Sequence, residues 1–264
     1  MKNCARNLDG NPGSKGEEMM KVTYLGHSGF LVETAQNLLL FDWYLGDLPL
    51  LPPEKPLFVF VSHAHRDHYS GRIWELASRH PGTTYLLSYD LAYSLETSDG
   101  KRPEEAKFML LFPHKSYEIE GLGRVDTLLS TDQGVAFLVR ELIDGGETAR
   151  LYHAGDLNWW DWAEDDADER KRMEGQYKEE IGRLQELTAD RAIDAAFVPL
   201  DDRLKENEWK GMDLALRMCR IRYAFPMHWT YPDVIGRFLS RDTGDLRPDT
   251  VIVDTSTLFD IEIP

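Results

Sequence analysis

The sequence predicts an α+β chain in which strands dominate the first half and helices alternate with strands in the second. Three observations predict it. The chain has 264 residues, 42% of them apolar and 29% charged, which is ordinary for a globular protein and ample for a real core. Between residues 21 and 140, apolar runs of strand length recur with turn residues between them. After residue 149 such runs alternate with segments whose apolar residues return at helical spacing.

Residues 1–18, "MKNCARNLDGNPGSKGEE", are polar and rich in Gly, Asn and Pro, and read as a flexible leader with no core to join. A single domain is expected over residues 19–264. "KVTYLG" and "GFLVET" flank His27-Ser28 as two strands, and "NLLLFD" is a third, ending at Asp42. "PLFVFVS" is continuously apolar, which predicts a strand buried on both faces. "GRIWELASRH" reads as a helix, with Ser70 as its N-cap and Pro81-Gly82 as its stop. "TTYLLS", "KFMLLF", "SYEIE", "RVDTLLS" and "GVAFLVR" are strands, and "ARLYHAG" is another, leading to Asp156. Residues 164–188 carry mixed charge with Ile181, Leu184 and Leu187 on one edge, the mark of a long solvated helix. "IDAAFVPL" and "YAFPMH" are strands, "GMDLALRMCR" and "VIGRFLSR" helices, and "TVIVDT" and "TLFDIEI" terminal strands. There is no internal repeat of fixed period.

Composition narrows the function. The net charge of −16 repels polyanions, so general nucleic-acid binding is not expected. No apolar run approaches the roughly 20 residues that span a bilayer. Two cysteines, Cys4 and Cys219, and no apolar signal-peptide core predict a cytoplasmic protein without a structural disulfide. A Gly-rich phosphate loop and a G-x-S-x-G nucleophile elbow are both missing; "GHSGF" surrounds Ser28 with the wrong neighbours.

One stretch carries chemistry. "FVFVSHAHRDHYSG", residues 58–71, runs from an apolar strand into His63, His65, Asp67 and His68. In extended chain residues two apart point to the same side, so His63 and His65 can converge on one ion. Asp67 and His68, in the following turn, can face a second. Imidazole with carboxylate suits Zn²⁺, Mn²⁺ or Fe²⁺. The histidines are two apart rather than four, which rules out an HExxH helix, and the cysteines are too few for a zinc finger.

"HAHRDH" resembles the first metal motif of the metallo-β-lactamase-fold hydrolases. "LYHAGD" is similar to that superfamily's strand ending in Gly-Asp, and "FPMHW" to its late strand ending in a histidine. The opening "YLGHSGFLVE…LLLFD" resembles a branch that includes ascorbate-6-phosphate lactonase and related hydrolases. The likeness spans about residues 20–264. It implies a four-layer αββα sandwich: two mostly β sheets packed face to face, with helices outside both. It also implies that Asp156 bridges two ions and that His228 is the last ligand, with Asp67, His68, Asp156 and His228 forming one complete set. One or two divalent ions are then expected, zinc foremost and manganese or iron as alternatives.

The sequence departs from that pattern at one place. The superfamily supplies a further histidine near "LLSTDQG", where Ser130, Thr131 and Asp132 stand here, and His114 lies too early to serve. Either Asp132 replaces the imidazole, or His153 approaches from its own strand; otherwise His153 orients a ligand from behind. Asp42 is either an acceptor bracing the 63–68 loop or a simple strand-end cap. His27, flanked by glycines, reads as a turn histidine bonded to backbone, with a side chain looking into the cleft as the alternative. Trp159, Trp160, Trp162 and Trp229 follow strand ends; Trp159 and Trp229 are taken as pocket residues, although two of the four are expected to pack helix on sheet. "EDDADERKR" reads as a solvated helix start.

The expected activity is metal-dependent hydrolysis of a small ester, lactone or phosphorylated metabolite by a metal-bound hydroxide, with Asp67 orienting the nucleophile. A small-molecule phosphodiesterase is the competing enzyme, marked by a basic residue that grips phosphate; Arg66, Lys115 and Arg203 are the candidates. A metal-binding or sensing domain without turnover is the non-enzymatic alternative.

Overall fold

Each apolar run becomes a strand because one or both of its faces find a layer to cover them. The computed structural model describes residues 19–97, 102–241, 249–257 and 260–264; the leader expected over residues 1–18 lies outside them. The strands are β1 (Met20–Gly26), β2 (Gly29–Glu33), β3 (Leu38–Phe41), β4 (Leu57–Val61), β5 (Thr84–Ser88), β6 (Lys107–Leu111) and β7 (Ser116–Ile119), followed by β8 (Gly123–Leu129), β9 (Val135–Ile143), β10 (Gly146–His153), β11 (Ile193–Pro199), β12 (Ile221–Met227), β13 (Val251–Ile252) and β14 (Asp260–Ile263). The helices are α1 (Leu76–Arg79), α2 (Ala92–Thr97), α3 (Ala167–Leu187), α4 (Lys210–Met218) and α5 (Asp233–Leu239).

Among the described residues the strands form two seven-stranded sheets, ordered β14-β1-β2-β3-β4-β5-β6 and β13-β12-β11-β10-β9-β8-β7. Each sheet is antiparallel up to one strand, β3 or β10, and parallel beyond it. Without a repeat of fixed period in sequence, the two sheets share one pattern of strand directions, the first completed by β14 from the C-terminal end.

β4 explains the sandwich. Phe58 and Phe60 join the inter-sheet core, while Leu57, Val59 and Val61 join a second core on the outer face with Ile73, Trp74 and Leu76. Phe60 stands 4.7 Å from Phe41 of its own sheet and 5.3 Å from Phe137 of the other, ring centre to ring centre. Across the second sheet, Tyr177, Ile181 and Leu184 of α3 with Leu216 of α4 cover the outer face. The result is the four-layer arrangement. Ser70 does cap the first helical segment, but residues Gly71–Glu75 wind as a 3-10 turn before α1. α2 was not expected: its six residues are too few to show helical periodicity. Asp166 caps α3, accepting from the backbone N–H groups of Asp168 and Glu169. No described helix is long and apolar enough to cross a membrane.

Parallel strands end at one edge of a sheet, where ligands of α/β sheets gather. Asp42, His63, Asp156, Asp201 and His228 follow the ends of β3, β4, β10, β11 and β12. The sheets are tied there by backbone hydrogen bonds from Val135 N to Ser62 O (3.0 Å) and from His228 N to His27 O (3.1 Å).

Candidate metal centre

Two groups of four side chains meet at this edge. His27, Asp67, His68 and His228 form one, and His63, His65, Asp132 and Asp156 the other; within each, the potential ligand atoms lie within 4.8 Å of one another. Asp156 stands between the groups. Its Oδ1 is 3.1 Å from His68 Nε2 and 3.2 Å from His228 Nε2, and its Oδ2 is 3.4 Å from His63 Nε2. His63 Nε2 is 3.1 Å from His65 Nδ1, which is 3.5 Å from Asp132 Oδ2.

The ring nitrogens can be assigned from their partners. A buried ionised carboxylate only accepts hydrogen bonds. His68 Nδ1 is 2.7 Å from Asp42 Oδ2 and His228 Nδ1 is 2.9 Å from Asp201 Oδ2, so both Nδ1 atoms carry protons. Ser62 Oγ donates to Asp42 Oδ2 at 2.6 Å and therefore accepts from His63 Nδ1 at 2.9 Å. Asp42 thus sets one imidazole in each group, His68 directly and His63 through Ser62. It is more than a strand cap. The Nε2 atoms of His68, His228 and His27 and the Oδ1 of Asp156 are buried without a hydrogen-bond partner among the described residues. Buried polar atoms are nearly always partnered; imidazole lone pairs facing a carboxylate are the donor set of a divalent cation.

The electrostatics agree. Burial alone would pull His68 down, but the carboxylates of Asp156 and Asp42 outweigh it and hold the imidazole well above its usual range. Burial opposes His228 too, yet Asp156 and Asp201 raise it to about 9. Burial would push Asp156 up, but His68 and His228 hold it well below the usual carboxylate range. His63 is lowered to about 4, by burial first and the charge of His68 next. Without an ion, protons supply the positive charge that the buried carboxylates require.

Backbone geometry explains how the second group assembles. Gly134 has φ +76, and a Cβ there would stand 2.0 Å from Ser62 O and 2.6 Å from His63 Cβ. Only glycine lets the 130–134 turn lie against the strand end that carries His63. Asp90 then clamps the turn, accepting from Ala64 N (2.9 Å) and Gln133 Nε2 (2.7 Å). Asp132 is thereby held beside His65, at the place where a histidine was missing.

His153 lies elsewhere. Its Nε2 is 2.9 Å from Ser28 O and its Nδ1 accepts from Gly155 N at 3.1 Å, so both nitrogens are used; its ring stacks on Phe41 at 5.0 Å. It therefore has no lone pair to give an ion. His114 is also remote, its Nε2 2.8 Å from Glu180 Oε1.

The expectation for the tryptophans needs correction. A cavity of about 500 Å³ opens over Asp67, Asp132, Asp156 and His228, and its aromatic walls are Trp160 and Trp162, not Trp159 and Trp229. Trp159 packs towards Tyr177 beneath Lys178 and Lys210. Trp229 lies 5.8 Å from the Tyr24 ring and donates to Thr255 Oγ1 at 3.2 Å. The alternation of two tryptophans with one residue between them was the available signal: Trp160 and Trp162 face the same way. Arg203 and Arg172 also line the cavity, whereas Lys115 lines a separate depression and Arg66 is exposed outside it.

One residue was missed and one was read only as an alternative. Asp201 follows "AFVPL" as Asp42 follows "LLLF", so a third apolar strand ending in Asp was a readable signal. His27 was weighed as looking into the cleft, but its glycine neighbours favoured a turn histidine.

A family described as "Beta-lactamase superfamily domain" matches residues 21–159. A "UPF0173 metal-dependent hydrolase" of Opitutus terrae is 31% identical over 229 residues, covering 80% of this chain and 85% of the relative. Among solved structures, Igni18, described as a novel metallo hydrolase from Ignicoccus hospitalis, aligns with a TM-score of 0.61 at 18% identity, covering 93% of this chain and 99% of its own. The metallo-β-lactamase fold protein YhfI from Bacillus subtilis aligns at 0.55 and 14% identity, covering 93% and 99%. The likeness to these two structures is one of fold.

Proposed function

The chain belongs to the β-lactamase superfamily, with the UPF0173 metal-dependent hydrolases as its relatives, and from that premise we propose that it hydrolyses a small ester, lactone or phosphorylated metabolite using divalent ions held by His63, His65, Asp67, His68, Asp132, Asp156 and His228. The observation that carries this reading is the convergence of two unpartnered, buried imidazole nitrogens, from His68 and His228, on the unpartnered Oδ1 of Asp156. A divalent ion held there would supply an acidified water at neutral pH and a Lewis acid for the bond under attack. Zinc heads the proposed ions. Asp132 in place of an imidazole makes its group richer in oxygen, which also suits manganese or iron.

The side chains divide the work. Asp42 and Asp201 fix the ring orientation of His68, His63 and His228. Asp67 lines the cavity beside them. The His27 imidazole, its Nε2 3.3 Å away, and His68 nearby hold its carboxyl far below the usual range despite partial burial. So weak a base orients a nucleophile well but carries a proton poorly. Asp67 is assigned the first role only, and an Asp67→Ala protein with full metal and full activity would remove it. Trp160 and Trp162 offer an apolar wall for the substrate body.

The likeness of the opening strands to the lactonase branch supports an uncharged ester or lactone bond as the one cleaved. Arg203 favours the phosphodiesterase as a second reading, because it is the one candidate phosphate grip of the three that lines the cavity. Two cysteines in 264 residues suit a reducing cytoplasm, where this reading places the reaction. The test is metal content per chain in protein purified without added metal, followed by ester, lactone and phosphodiester panels. Bound metal with turnover on one panel supports the proposal. Bound metal with no turnover on any would favour a sensing domain instead.

A further inference from the structure

Nothing in the proposed mechanism requires His27, yet its position is costly. It sits in the tight turn between β1 and β2 with φ +54, directly after Gly26 at φ +105. A non-glycine residue with a left-handed backbone is uncommon, and such outliers gather at functional sites. The conformation is fixed from two sides: His27 O accepts from His228 N at 3.1 Å and from Tyr24 Oη at 3.3 Å. The side chain therefore crosses from one sheet to the other. Its ring centre lies 4.1 Å from that of His228 and 5.6 Å from that of His68. Its Nε2 lies 3.3 Å from Asp67 Oδ2, buried and without a partner of hydrogen-bonding geometry.

We propose that His27 is a third imidazole ligand beside His68 and His228, and that it makes the two ion positions chemically unequal. This rests on the metal reading above. The position of His27, Asp67, His68 and His228 has three imidazoles and one carboxylate, and only Asp67, its side chain 43% exposed, is broadly open to solvent. The position of His63, His65 and Asp132 has two imidazoles, and two of its members, His65 and Asp132, have side chains 46% exposed. Nitrogen donors favour zinc and cobalt, while oxygen donors and open access favour harder, more readily exchanged ions. The first position is filled first and released last. The second exchanges with solution.

The test is a Co²⁺ titration of the metal-free full chain, followed by visible absorption and by competition with a chelator. Wild type is expected to take up Co²⁺ in two phases. His27→Asn keeps a residue that tolerates the left-handed turn but is too short to ligate. It should weaken the tight phase at least about tenfold, by the scale of metal-site perturbations, and shift its absorption band, leaving the loose phase unchanged. Asp132→Ala should remove the loose phase alone. In Co²⁺-loaded wild type, the tight ion should give three shifted, exchangeable imidazole N–H proton resonances, a readout that needs no variant. His68→Ala is the reference. If it loses the tight ion while His27→Asn binds as wild type, or binds weakly with an unshifted band, His27 is not a ligand and this inference falls. Two shifted resonances in wild type would overturn it equally. If His68→Ala also binds as wild type, the metal reading itself fails.

Discussion

Replacing Asp42 by Asn should damage both ion positions at once, although Asp42 lies in neither. Its buried carboxylate takes three hydrogen bonds: from Ser62 N at 2.7 Å, Ser62 Oγ at 2.6 Å and His68 Nδ1 at 2.7 Å. Asparagine keeps the volume and can still accept from Ser62 N, but it presents an NH₂ donor where two donors now point. Nδ1 of His68 must then accept, and its proton moves to Nε2, the atom that faces Asp156. Ser62 Oγ no longer has its acceptor and turns its hydrogen to His63 Nδ1, which displaces that ring's proton to Nε2 as well. Both imidazoles would hold a proton where an ion needs a lone pair. A hydrogen bond to a charged group contributes about 1.5–3 kcal/mol, and 1.4 kcal/mol is a factor of ten. Each ion's dissociation constant should therefore rise between about tenfold and 150-fold. Chelator competition at fixed pH measures this, with thermal denaturation of the ion-free proteins as the control for folding. Ser62→Ala should weaken only the ion of His63. Asp42→Asn protein that binds both ions as wild type would refute the assignment of the ring protons.

Three further outcomes follow from the same geometry. Gly134→Ala places a methyl 2.0 Å from Ser62 O at a φ of +76, which should cost about 2–3 kcal/mol and lower the melting temperature by several degrees in thermal denaturation. His228, raised from 6.5 to about 9 in the ion-free protein, contributes stability that is fully present below pH 6.5 and is lost as the pH rises through 9. Ion-free protein should thus melt earlier across that window, whereas ion-loaded protein should not, since the ion has displaced the proton; equal slopes in the two would contradict the site. Arg203→Met also removes the Nε bonds to Asp201, the partner of His228, so kcat should fall on both substrates; KM should rise about tenfold or more for a phosphorylated substrate alone, as expected for loss of a charge-assisted contact, and stay within twofold for an uncharged lactone, which steady-state kinetics on both decides.

The sequence by itself determined whatever depends on near neighbours. The unbroken apolar run through "PLFVFVS" predicted a strand covered on both faces, and β4 divides its side chains between two cores accordingly. Spacing within "HAHRDH" required converging side chains, because adjacent residues share one backbone path. Asp156 and His228 were marked by the resemblance of "LYHAGD" and "FPMHW" to the superfamily's strand ends, while Asp42, at the end of "LLLF", was readable only as a bracing acceptor or a cap. What the sequence left open were contacts between segments far apart in the chain. Asp132 and His153 were both candidates for the missing position, with His153 read first as orienting a ligand from behind; packing occupies both nitrogens of His153, and Gly134 brings the turn of Asp132 against Ser62. His27 looked like a turn residue because only the docking of one sheet on the other brings it to His228, some two hundred residues later. The four tryptophans were indistinguishable by type, and which two face the cavity was decided by the path of the loop between β10 and α3. Local pattern fixes which face of an element is apolar or bears a ligand; the distance between such faces exists only once the two sheets have closed on a common core.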